Sequence, residues 1–320
     1  MRILLRARAR ILWTKLATAY HLIGDQSALD KLLEQHPTAA AGIVELHVAA
    51  GDWPYAIEAY SKLITDQTTD VSLLTKRAAA YIATEQWKSA KADWLRAIEL
   101  QPGLLGQAFI AFRNAQQWET ASEFGLQNLE HHPQLGSLDW LEVASVLAMQ
   151  GNDEAYAEFC SRMSRKFADS GKLEDAERTV KAYAFRPVTI DPRQLPAERF
   201  TNALDRRTAP AWFLPWGWST RALLAWRTND PDLAIEYVAE SEGSNPGDFA
   251  HAMNLVVHAM AEHQLQHQDE AQKVFDEASQ LMTRLNEDPS LKDHRDLLFA
   301  EILFREAEAT INSQPEPEPK

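Results

Sequence analysis

One cysteine, Cys160, in 320 residues excludes an intramolecular disulfide and any cysteine-rich zinc site, and suits a reducing compartment such as the cytoplasm. Twelve glycines and 15 prolines are too few for the many tight turns of an all-β chain. No run approaches the roughly 18 apolar residues of a membrane span. A basic stripe of the kind that nucleic acid requires is missing beyond the first ten residues, so nucleic acid is not an expected partner. The opening segment, Met1-Arg-Ile-Leu-Leu-Arg-Ala-Arg-Ala-Arg10, has the charge of a signal peptide. Arg6, Arg8 and Arg10 interrupt its apolar core and no small-residue cleavage site follows, so a solvated helix start is expected.

What is present is helix-forming: alanine, leucine, glutamate and glutamine dominate a chain that is 45% hydrophobic. Its charge is unevenly spread. Residues 230–320 hold 20 acids against 6 Lys/Arg, which accounts for the whole net charge of −14, and residues 1–229 are neutral.

The main signal is an internal repeat, which is the feature that decides the fold. Gly51-Asp-Trp-Pro-Tyr-Ala-Ile-Glu-Ala-Tyr60 aligns with Glu85-Gln-Trp-Lys-Ser-Ala-Lys-Ala-Asp-Trp94, pairing Trp53 with Trp87, Ala56 with Ala90 and Tyr60 with Trp94. A third copy places Trp118 and Ala121 in the same relation. Helix starts recur at Trp13, Ala40, Leu74, Leu105, Trp140, Trp218 and Leu255, with a small or apolar residue four positions on: Ala17, Val44, Ala78, Phe109, Ala144, Ala222 and Ala259. A small residue lets two helices approach closely, and an aromatic four residues later on the same face fills the space between neighbours.

This pattern resembles the tetratricopeptide (TPR) repeat family, most clearly in Trp13-x-x-Leu16-Ala17-x-x-Tyr20-x-x-x-Gly24. The resemblance implies an all-α fold, a TPR-like superhelical solenoid of antiparallel helix pairs. Pro187, Pro192, Pro210 and Pro215 break the register and predict an irregular joint in the middle. The expected division is an N-terminal sub-array over 1–167, a joint over 168–210 with a helix at about 194–206, and a C-terminal sub-array with a capping helix over 211–312. A disordered tail over 313–320 completes it. Gly171-Lys-Leu-Glu-Asp-Ala176 reads as the second helix of a pair that lacks its first.

A narrower resemblance lies in Asp139–Cys160, His263–Ala271 and Phe304–Ala309, which are similar to the TPR tails of large bacterial chains carrying a Ser/Thr kinase domain and sometimes WD40 repeats. It implies a docking or regulatory tail in a kinase-linked signalling complex. Kinase activity itself does not carry over. His294-Arg-Asp-Leu297 has Glu301 where a kinase catalytic loop needs asparagine, and no phosphate loop accompanies it.

The other chemical candidates have structural readings. His263 and His267 have zinc-like spacing but lack the Glu after the first His that a metalloprotease needs. Cys160 reads as a core residue. Trp212 and Trp216, with Phe213 between them, are a candidate aromatic patch. The family presents its first helices on a concave face that cradles a peptide or protein. Residues expected there are Thr14, Lys15, Thr18, Lys76, Arg113, Asn114, Glu142 and Ser145. Carboxylate clamping of the chaperone-binding kind is not expected, since Thr18 and Glu45 stand where that clamp has asparagine-like donors. No converging acid, base or metal set appears, so the expectation is a non-catalytic, cofactor-free protein-binding scaffold.

Overall fold

A computed structural model describes residues 2–65, 67–187, 195, 196, 204 and 209–312, with the side chains of 2–10, 37, 38 and 41 left aside. The helix expected at about 194–206 therefore lies largely outside the described residues, and the tail at 313–320 lies wholly outside them. Every regular element among the described residues is helical. The chain divides into two compact units, Met1–Ala115 and Gln116–Lys320. The division thus falls between a seventh and an eighth helix rather than in the expected joint.

The first unit contains α1 (Arg2–Ile23), α2 (Gln26–Gln35), α3 (Ala41–Ala49), α4 (Trp53–Leu63), α5 (Val71–Ala83), α6 (Trp87–Leu100) and α7 (Leu105–Asn114). Asp25, Asp52 and Asp70 accept from the first-turn amides of α2, α4 and α5, fixing where those helices start. The small residues pack as the repeat requires: Ala17, Val44, Ala56, Ala78 and Ala90 are all buried. At Gly42 any side chain would collide with Thr14 and Thr18, so this glycine lets α3 cross α1 at close range. Asp93, buried on α6, accepts from Arg77 of α5 at 2.6 and 2.7 Å, a bidentate tie within one pair.

The second unit contains α8 (Trp118–His131), α9 (Ser137–Gln150), α10 (Asp153–Phe167), α11 (Leu173–Ala184), α12 (Leu214–Arg227), α13 (Pro231–Glu242), α14 (Asp248–Gln264), α15 (Gln268–Glu287) and α16 (Arg295–Ile311). Here α11 departs from its expected role. It packs against α9 on one side and α12 on the other, as a first helix would. Ala176 and Val180 form a core with Leu204 and Phe213, and Leu204 seats where Gly217 leaves room on α12. Residues up to 187 thus continue the array.

The terminal helix also does more than cap. α16 packs on α14 and α15, and on α9 as well. The inner helices α9, α11, α12, α14 and α16 therefore form a closed circuit, each touching the next. Arg227 donates twice to Glu306 at 2.5 Å and also to the carbonyls of Ala184 and Phe185, joining α12 and α16 to the end of α11. Phe185 meets Phe299 at 5.3 Å between ring centres. Closure leaves α9 and α14 with little solvated face: Leu141–Ala148 of α9 and Ala252–Val257 of α14 are buried without interruption.

Candidate functional site

The sequence expectation spread the contact residues over the first helices, and the structure sorts them differently. Thr14 and Thr18 face Gly42 at the α1–α3 crossing, so they pack within the fold. Lys15 is exposed on the outer side of α1. Lys76 bonds Glu45 at 2.5 Å, linking α5 to α3, and Glu45 also accepts from the Tyr60 hydroxyl at 3.4 Å. Arg113 is buried, donates to Asn114 Oδ1 and lies 5.9 Å from the Phe109 ring centre. In the second unit, Ser145 is fully buried and donates to the Glu142 carbonyl, while the Glu142 carboxylate pairs with Arg295 at 2.8 Å. Ser145 and Glu142 are corrections: circuit closure has filled the concave face on which they were expected to meet a partner.

One mouth of that circuit opens where the N-terminal ends of α9, α11, α12 and α16 converge. Ser137 at the start of α9 donates to Asp175 in the first turn of α11, and Arg178 donates back to Ser137 at 3.2 Å. One turn deeper, Glu177 and Lys181 form an ion pair at 2.6 Å with each residue at most 4% exposed. Thr220 of α12 donates to the same Glu177 oxygen at 2.6 Å, and the Lys181 ammonium lies 4.6 Å from the Trp216 ring centre. A buried ion pair is tolerable because these added partners replace the lost water.

These ties frame a cavity of about 270 Å³. Leu141, Phe213 and Phe299 form its apolar side, and Arg178, Trp212 and Arg295 stand among its polar and aromatic lining. Trp212 is 60% exposed and meets Phe213 edge-on, 5.7 Å between centres and 88° between planes. Lining charges of both signs are present, with Glu174, Glu177 and Asp296 against Arg178, Lys181 and Arg295. Such a site can take an apolar side chain into its floor and pair polar groups at its rim.

The kinase-like string falls at this mouth in structural roles. His294 caps α16 by accepting from the Asp296 amide and stacks on Phe249 with centres 4.6 Å apart, while Arg295 holds Glu142. Among the other candidates, Cys160 is fully buried, and burial pushes its thiol up to about 12. His267 bonds the Glu262 carboxylate at 2.7 Å, and the other Glu262 oxygen faces His258 at 3.2 Å. No group of three metal-ligating side chains occurs among the described residues. No helix among them is long and apolar enough to cross a membrane.

Sequence reasoning found Trp212, Phe213 and Trp216 but missed Arg178, Glu177, Lys181 and Arg295. The four-residue spacing of Glu177 and Lys181 was a visible signal for a helical pair. Nothing local connects Arg295 to Glu142, 153 positions away.

No protein-family model matches this sequence, and no curated protein resembles it significantly. Among solved structures, a chain in the structure of Naa15/Naa10 bound to HypK-THB follows a similar course, at 12% identity with a TM-score of 0.39. The match covers 92% of this chain and 39% of that one. These comparisons provide no link to a kinase.

Proposed function

We propose that this chain is a non-catalytic scaffold that binds a protein or peptide partner, and that the contact in its second unit is the mouth around Trp212. The reading is carried by one observation: a large aromatic, 60% exposed, stands beside a 270 Å³ cavity with an apolar floor and charges of both signs. Exposed aromatics over desolvated pockets are the usual anchors of protein interfaces, and polar rims supply orientation. Repeat solenoids supply the extended surface on which such anchors are displayed.

The test is affinity capture by the whole chain, with Trp212→Ala and Arg178→Glu as variants. A partner held by the native chain should be lost or weakened at least about tenfold in Trp212→Ala, a typical anchor effect. Equal capture by native chain and both variants would overturn the assignment of the mouth.

A further inference from the structure

Among its described side chains, from Ile11 on, helix α1 packs on one side only. Trp13, Leu16, Ala17 and Tyr20 join the core with residues of α2 and α3. Another strip of the same helix carries Ile11, Leu12, Leu22 and Ile23, which are 56, 59, 69 and 72% exposed. Eleven residues make just over three helical turns, at about 3.6 residues per turn, so the two pairs lie along one line. Lys15, also exposed, sits within that line.

Charge sets this helix apart from the rest of the chain. Arg2, Arg6, Arg8, Arg10 and Lys15 precede the first acid, Asp25, in a protein whose net charge is −14. An exposed aliphatic strip is unfavourable in water, and a cationic cluster seeks an anionic surface. Two copies of this helix set face to face would cover the apolar strip but leave the five cations without anionic partners. An anionic bilayer surface satisfies both properties: aliphatic side chains enter the headgroup boundary while Arg and Lys extend their charged ends to lipid phosphates.

We propose that α1 is a membrane-surface helix that lies along an anionic lipid bilayer through Ile11, Leu12, Leu22 and Ile23, with Lys15 contacting the headgroups. This does not depend on the mouth around Trp212.

The experiment is co-sedimentation of the whole chain with vesicles of phosphatidylcholine alone and vesicles that also contain phosphatidylserine. Binding is expected to the anionic vesicles only, to weaken with salt, and to fall about fivefold when the cation at Lys15 is removed. The triple variant Ile11→Ser, Leu12→Ser, Leu22→Ser should abolish it while leaving helix content unchanged, since all three positions are more than half exposed. No binding to anionic vesicles at low salt would overturn the proposal, as would undiminished binding by the triple serine variant. A dimer in light scattering that the same variant splits would assign the strip to a second copy instead.

Discussion

At the scale of single residues, the turns between paired helices repeat one backbone device. Gly24, Gly51, Glu85, Gln116, Gly151, Asn229 and Gln266 all have positive φ, between 56° and 80°. Each follows a first helix and reverses the chain into the second. Glycine and asparagine adopt this region cheaply, but Glu85, Gln116 and Gln266 do so against their steric preference. Gln266→Gly should therefore stabilise the chain by about 1 kcal/mol, and Gly151→Ala should destabilise it by about the same; urea unfolding of both variants measures this. Three of these positions were visible in the sequence because glycine announces a turn. The glutamine and glutamate positions were not, because their residue types carry no such signal.

The buried hydroxyls and thiol give a second residue-scale expectation. Burial, with Glu45 adding to it at Tyr60, pushes Tyr60, Tyr183 and Cys160 up to about 12. Each holds its proton in the folded state at pH values where the unfolded chain has released it. Their stabilising contribution is complete below about pH 9 and is lost as pH rises toward about 12. The thermal midpoint should fall across that window, and Cys160→Ala should show a smaller fall.

At the scale of elements, α16 is a latch that closes the inner circuit. Its hold rests on Arg227–Glu306 and Arg295–Glu142, pairs that are partly or largely withdrawn from solvent. Glu306→Ala would leave the Arg227 guanidinium short of a partner, at a cost on the order of 2 kcal/mol. Hydrogen exchange should then quicken in α16 and at the end of α11 before it does elsewhere in the second unit. This latch could not be read from the sequence. Periodicity places helices and gives their buried stripes, which is why every expected first helix is present. It says nothing about which distant helices meet, and Arg227 and Glu306 are 79 positions apart. The same limit explains α11, whose Gly-x-x-x-x-Ala opening resembles a second helix although its packing is that of a first.

At the scale of the whole chain, two of the eight residues expected on a concave face, Glu142 and Ser145, are buried by a closure that only the three-dimensional path reveals. The aromatic patch was legible because Trp212, Phe213 and Trp216 cluster in the sequence. Its surroundings were not, because they come from four helices. Trp212→Ala should leave the thermal midpoint within about 1 °C of the native value, since an exposed side chain contributes little to folding.

The most direct test of the scaffold reading places a photo-crosslinking amino acid at position 212 and, separately, at position 76, where Lys76 is half-exposed between the first helices of the first unit. A partner should be trapped from position 212 and not from position 76. Adducts from position 76 with none from position 212 would contradict the account and return the contact to the concave face.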